Sequence, residues 1–417
     1  MSPWRFVLLL ILSLSPVTAC AADLSAEDRT LLLKVEQDTV QFFVRYSDKV
    51  TGLTRDSTRQ GSPASIAATG FSLAATAIGG AHGWIQDAQA QRQIRKTLRA
   101  LLDQAEHEKG FFYHFLDARS GKRIWASESS SIDTALLIAG ALLAGEYYPG
   151  TDIQKMAQDL YARVDWKWMM NGSDLICMGW KPETKFLPYY WDTYNELIIL
   201  QALAIGAPVN PVPPSAWQAW DRLEGDYNGR RVVYAHSGSL FTYQFAQGFI
   251  DFRNLDDRGL NYFENSRQAT LANREYALEN RGQFQSYSEN SWGLSASVGP
   301  GGYKAYGAKP GEGLHDGTIA PYAVLGSIVF TPEESSAAVR SIYETHGEKI
   351  YGTFGFKDSF NLDKNWWADE YLGIDQGITV LMLENFLNDG AVWKKFMRLE
   401  AVKRWIKLAE LKSTRAS

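Results

Sequence analysis

Residues 189–196 read Tyr-Tyr-Trp-Asp-Thr-Tyr-Asn-Glu and run straight into the apolar stretch Leu197-Ile198-Ile199-Leu200. Four aromatic rings and two carboxylates fall within these eight residues. The apolar run predicts a buried helix, which places the acids at its first turn. That setting suits sugar chemistry. Aromatic faces stack on pyranose rings, the Asn195 amide and the acids bond hydroxyls, and a carboxyl among rings has its ionised form disfavoured, so it holds a proton at neutral pH. Glu196 is therefore a candidate general acid for glycoside cleavage, with Tyr190, Trp191 and Asn195 as candidate substrate contacts. The same residues have a plainer use, since an acid in a first helical turn favours the helix dipole and a Tyr/Trp cluster fills a core.

Three further clusters fall between predicted helices. Residues 127–134, Ser-Glu-Ser-Ser-Ser-Ile-Asp-Thr, precede an apolar run. Serines and acids cap helices, yet four serines with Glu128 and Asp133 exceed what one cap needs. Residues 261–293 carry Asn265, Arg267, Arg274, Tyr287, Asn290 and Trp292. The arginines could clamp acids and sugar hydroxyls, or pair with Glu264 and Glu289; Trp292 could stack on a ring. Residues 365–378 carry Trp366 and, between Ile374 and Ile378, Asp375. Burying an unpaired charge is too costly, so Asp375 must be solvated, paired or functional. With Glu196 it makes an acid/base pair, one protonating the leaving oxygen while the other activates water. Asp56, in the polar loop 51–57, is a further candidate for bonding substrate, beside an ordinary role in a turn.

The elements that must position these groups read as helices. Apolar residues recur at helical spacing over 25–46, with Ser25 and Asp28 as a capping signal. Further helices are expected over 64–78, 87–107, 131–147, 153–164, 197–206, 241–249, 260–279, 317–327, 333–348, 374–387 and 393–411. Residues 110–115, Gly-Phe-Phe-Tyr-His-Phe, read as a short strand or loop. Ala/Gly-rich stretches alternate with polar amphipathic ones. Paired helices closing into an α/α toroid explain the alternation, although an open helical solenoid has the same periodicity. No Pro/Gly/Ser linker interrupts the series, so one catalytic domain over 20–417 is expected.

Composition narrows the function classes. The 417 residues are 45% hydrophobic and carry a formal net charge of -5, which gives no basic footprint for nucleic acid. Aromatics make up 13%, more than a core alone tends to require, and the surplus would furnish a carbohydrate cleft. The chain opens like an address: Arg5, an apolar stretch 6–14 too short to span a bilayer, then Val17-Thr18-Ala19-Cys20. This resembles a bacterial lipobox, in which residues 1–19 are removed and Cys20 is lipidated; an ordinary signal peptide cut nearby is the alternative. Either implies export to the periplasm, and Ala21 favours a lipoprotein of the outer membrane. With Cys20 lipidated, Cys177 has no partner and no disulfide supports the fold. The six histidines are scattered without helical ligand spacing, so no metal site or cofactor is expected. A monomer is the expected assembly.

Six motifs in order carry a wider likeness: Gly110-Phe111-Phe112-Tyr113-His114-Phe115, Tyr194-Asn195-Glu196, Tyr262-Phe263-Glu264-Asn265-Ser266-Arg267, Glu289-Asn290-Ser291-Trp292-Gly293, Asp316-Gly317-Thr318-Ile319-Ala320-Pro321 and Ile374-Asp375-Gln376-Gly377. Together they resemble the glycoamylase-like family, which includes bacterial β-1,2-glucanases of glycoside hydrolase family 144 and a domain of cyclic β-1,2-glucan synthases. The resemblance implies an (α/α)6 barrel, inverting hydrolysis of β-1,2-glucan or sophoro-oligosaccharides, and no metal. It also implies that Glu196 is the general acid and Asp375 the general base. The serine-rich segment departs from the family pattern, with Asp133 where a glutamate is expected and Ser130 upstream, which leaves endo action open. The alternatives are an exo-acting sophorohydrolase or transglycosylase, and a catalytically silent glucan-binding lipoprotein that keeps Trp191, Trp292 and Trp366.

Overall fold

The Ser25 hydroxyl accepts the Asp28 N–H at 3.0 Å and opens the first helix of the computed structural model, which describes residues 24–414. The expected targeting segment, residues 1–19, and Cys20 lie outside the described residues. In chain order the helices are α1 (Ala26–Tyr46), α2 (Ile66–Ala81), α3 (Asp87–Asp103), α4 (Ser131–Tyr147), α5 (Asp152–Ala162), α6 (Leu197–Ile205), α7 (Ala216–Ala219), α8 (Phe241–Phe249), α9 (Tyr262–Glu279), α10 (Pro321–Leu325), α11 (Pro332–Ile350), α12 (Gly373–Leu387), α13 (Ala391–Phe396) and α14 (Glu400–Leu408). None is long and apolar enough to cross a membrane.

Their sequences decide which lie inside. Nearly every residue of α2, α4, α6, α8, α10 and α12 is buried, because these helices are Ala/Gly-rich or apolar all round. They form a ring in which α2 meets α4, α4 meets α6, α6 meets α8, α10 meets α12 and α12 returns to α2. The Gln244 amide on α8 joins α10, donating to the Ala323 carbonyl at 2.7 Å and the Ser327 hydroxyl at 2.9 Å. Half-polar helices lie outside: α1 against α12 and α2, α3 against α2, α5 against α4, α14 against α6, α9 against α8 and α11 against α10. This is an (α/α)6 barrel. Its tightest seam is glycine-made, since a Cβ on Gly140 of α4 would collide with the Gly70 carbonyl of α2.

The inner helices share one polarity, so their first turns gather at one end. That end carries Asp56 and Glu128 on loops, Glu196 at the start of α6, and Asp133 and Asp375 in the first turns of α4 and α12, while His82, Tyr147 and Glu384 lie at or near the other ends of α2, α4 and α12.

Two expected helices differ, and one further segment forms a hairpin. The one over 317–327 shrinks to α10, because Ile319 pairs with Phe360 as an isolated bridge before Pro321 starts the helix. The one over 393–411 breaks into α13 and α14 at Leu399, whose ψ of 132° is extended. Residues 224–233, outside the expected helices, form a hairpin of Glu224–Tyr227 with Arg230–Val233. Asn228 and Gly229, both at positive φ, make its two-residue turn, and that dipeptide was a readable signal.

Candidate active site

Glu196 stands at the N-cap position of α6 yet makes no capping bond. The Asn195 side-chain oxygen instead accepts the Leu197 N–H at 2.8 Å, so the helix end is served and the glutamate is not needed there. Asp192 is exposed and precedes the helix, contrary to the expectation that both acids sit in the first turn. The Glu196 residue keeps partial exposure, while crowding protein desolvates its carboxyl. Burial pushes its pKa up to about 7, its own backbone N–H opposes, and the negative Asp133 adds to the rise. A group touched by solvent and still desolvated lies on the floor of a concavity.

His114 forms the next layer. Its Nδ1 lies 3.1 Å from Glu128 Oε1 and its Nε2 3.6 Å from Asp133 Oδ1. Burial alone would lower its pKa; Asp133, Glu128 and Asp56 outweigh that and raise it to about 9, so it is an imidazolium at neutral pH. The hydrogen bond from His114 in turn holds Glu128 down at about 2. Asp56 is pushed up to about 6 by burial, with His114 opposing and Asp133 and Glu370 adding. The serine run has structural work to do. Ser130 caps α4 by accepting the Asp133 N–H at 3.2 Å, Ser129 donates to the Phe111 carbonyl at 2.6 Å, and Ser131 donates to the Met178 carbonyl at 3.0 Å.

Asp375 lies in the first turn of α12 and is 1% exposed. Its Oδ2 and the Oδ1 of Asp358 are both buried without a donor, and the two carboxyls interact directly, each shifting the titration of the other. Two acids in such contact hold a proton between them. Burial first, then the Asp358 charge, raises Asp375 well above the carboxylate range. Asp358 is pushed up to about 7 by burial, although the Val298 N–H donates to its Oδ2 at 2.6 Å. Asp56 is brought alongside by its backbone: the Gly373 N–H donates to the Asp56 carbonyl at 2.7 Å. A Cβ on Gly373 would lie 2.6 Å from the Ala68 Cβ and 3.2 Å from the Arg55 carbonyl, so only glycine lets this loop reach α12.

Tyr303 ties the two halves together. It projects from the hairpin Ser297–Gly299/Gly302–Lys304 and is 56% exposed, yet its hydroxyl is desolvated and feels the charges of Asp375, Asp358, Asp56 and Glu196. All four carboxyls therefore lie within electrostatic reach of one tyrosine hydroxyl.

Several expected contacts are corrected. Trp292 is fully buried and Trp191 is 7% exposed with its Nε1 donating to Ser131 Oγ at 2.9 Å, so both rings belong to the core and neither offers a face to a sugar. Asn265 uses its amide to tie down Val233, accepting its N–H at 2.7 Å and donating to its carbonyl at 3.0 Å. Arg267 pairs with Glu264 at 3.2 Å on the outer helix α9, the plainer of its two uses. The Tyr287 hydroxyl is 3.3 Å from His315 Nδ1 and accepts the Gly317 N–H at 3.2 Å. Tyr190, Asn290 and Trp366 keep partial exposure, with the Tyr190 hydroxyl accepting from Asn171 at 3.3 Å.

The exposed rings are others. Trp125 is 69% exposed, Tyr189 64% and Tyr303 56%. Trp125 sits edge-on to Phe115, which stacks on His114 at 4.0 Å. Sequence reasoning passed over Trp125, Tyr303, His114 and Asp358. Two of them carried a signal: His114 stands in the motif 110–115, and Asp358 is an acid between Phe356 and Phe360, the same anomaly that marked Asp375.

Comparison with known proteins places this geometry. The chain is 27% identical, over 93% of its length, to an exo β-1,2-glucooligosaccharide sophorohydrolase (non-reducing end) of Parabacteroides distasonis, and the match spans 59% of that protein. An endo-β-1,2-glucanase from Chitinophaga pinensis, solved with sophorotriose and glucose, has a TM-score of 0.87 at 28% identity, covering 94% of this chain and 99% of that one. A β-1,2-glucanase from Parabacteroides distasonis has a TM-score of 0.86 at 26% identity, covering 92% of this chain and 60% of that one. The Glycoamylase family model matches residues 188–400, a span that includes Glu196, Tyr303, Asp358 and Asp375. The chain belongs to the Glycoamylase family.

Proposed function

We propose that this protein is an inverting glycoside hydrolase that cleaves β-1,2-glucan or sophoro-oligosaccharides, acting as a monomer held by a lipid on Cys20 at the periplasmic face of the outer membrane. The observation that carries the reading is Glu196, a carboxyl with a pKa of about 7 at the start of an inner helix, within electrostatic reach of the same tyrosine hydroxyl as the Asp358–Asp375 pair. The likeness to enzymes named for β-1,2-linked glucans supports the substrate class.

Glu196 gives its proton to the glycosidic oxygen, and the C1–O bond electrons leave with that oxygen. Water attacks C1 from the opposite face, and its proton passes to the Asp358–Asp375 pair, which holds one proton between its two carboxyls beforehand and two afterwards. Because Asp375 is 1% exposed, that proton travels through a water or a substrate hydroxyl. A second reading has one observation in its favour: Asp56 is partly exposed and, at a pKa of about 6, ionised at neutral pH, so it can meet the attacking water directly.

Glu196→Gln should lower turnover by about a thousandfold while oligosaccharide binding persists; a fully active variant removes the proposed acid. Azide separates the two bases, since only the variant lacking the true base, Asp375→Asn or Asp56→Asn, should form α-configured glucosyl azide. Chromatography after incubation with linear β-1,2-glucan, beside β-1,3- and α-1,4-glucans, reads the specificity. Several product sizes mean endo cleavage and one small product exo cleavage, whereas no product from any glucan supports a binding lipoprotein. Cys20→Ala should move the protein from the membrane to the soluble periplasmic fraction.

A further inference from the structure

We propose that Glu36, His82 and Glu384 form a divalent-cation site at the end of the barrel away from the acid cleft. The three come from α1, the C-terminus of α2 and the last turn of α12, and their ligand atoms all lie within 4.8 Å of one another. No local spacing could announce them, because they are scattered along the chain; the expectation of no metal site rested on neighbouring histidines alone.

Glu36 is the residue that asks for a ligand. It is 0% exposed, and both of its carboxyl oxygens are buried without a donor. A carboxylate deprived of water and of hydrogen bonds is costly to keep. Nothing basic answers it, since among the described residues the ion pair recorded within this cluster is His82 Nε2 with Glu384 Oε2 at 2.9 Å. Lys395, the nearby ammonium, lies over the Tyr147 ring at 4.3 Å and donates to the Glu146 carbonyl at 3.4 Å instead.

The surroundings are those of a prepared ligand set. The Asn388 amide donates to Glu384 Oε2 at 2.6 Å and the Tyr147 hydroxyl to its Oε1 at 3.2 Å, fixing that carboxylate. Trp84 stacks on the His82 ring at 4.4 Å and 14°, fixing its plane. Outer contacts of this kind orient metal ligands. The His82 side chain is 27% exposed, which gives an ion a way in from solvent. Two carboxylates and one imidazole are the donor set of Zn²⁺ or Mn²⁺, with a position left for water. The competing arrangement places a proton between Glu36 and Glu384.

The test uses the full chain, stripped with chelator, dialysed and titrated with Zn²⁺ and with Mn²⁺ by calorimetry, with bound metal counted by plasma mass spectrometry. One equivalent should bind with a rise in Tm. Glu36→Gln and His82→Gln should each weaken binding at least tenfold. His82→Gln alters a partly exposed side chain, and its metal-free Tm, matched to that of the metal-free parent, confirms that it folds; it decides the matter even if Glu36→Gln does not accumulate. Absence of saturable binding by the parent protein, or binding unchanged in the His82 variant, overturns the site and leaves the shared proton.

Discussion

A carboxyl held at a pKa of about 7 in place of 4.5 changes stability as well as chemistry. The folded chain binds the Glu196 proton more tightly than the unfolded chain does. Its contribution is therefore complete below about pH 4.5 and is lost as pH rises through about 7. The shift corresponds to about 3 kcal/mol as an upper bound. Glu196→Gln should accordingly match the parent near pH 4 and exceed its stability at pH 8 in urea melts; equal stability at pH 8 would mean the carboxyl is well solvated. The same group should set the alkaline limb of kcat/KM near pH 7, because the acid must be protonated, and that limb should vanish with the residual activity of the Gln variant. Glu196 and Asp375 were legible because an acid entering an apolar helix has few inexpensive placements. Trp292 was misread for a physical reason: aromatic type reports size and shape, whereas a stacking platform needs exposure, which tertiary packing alone decides.

Among the elements, the seam between α2 and α4 has the least tolerance. Gly70 and Gly140 bring the two backbones together, and the first turns of these helices carry the caps Ser65 and Ser130, the second of which holds Asp133. Gly140→Ala should cost about 1–3 kcal/mol, seen as a lowered Tm, because the methyl meets backbone that cannot rotate away. Calorimetry that finds no loss would mean that the helices separate freely. Most helices were readable from the sequence because burial imposes a helical period or a small-residue run on each. The breaks at Leu399 and before Pro321 were hidden, since they depend on a turn and on pairing with distant Phe360. The close approach of Asp56 to α12 was hidden too, being carried by a backbone bond to Gly373.

At the scale of the whole molecule, α12 returning to α2 is what periodicity could not supply, because an open stack of helix pairs repeats in the same way. Closure makes every pair a neighbour of two others, and α1 braces the seam by packing on both α12 and α2. Loss of secondary structure and loss of tryptophan burial should therefore coincide in urea, with far-ultraviolet circular dichroism and fluorescence giving one midpoint; separate midpoints would indicate that an arc of the ring melts alone. The common direction of the inner helices also makes the barrel a battery. Each helix presents partial positive charge at its start and partial negative charge at its finish, so the pole that gathers Asp56, Asp133, Glu196 and Asp375 eases the crowding of anions. The opposite pole, where Glu36 and Glu384 are buried, makes it worse, and a positive ion is what that pole would draw in from solution.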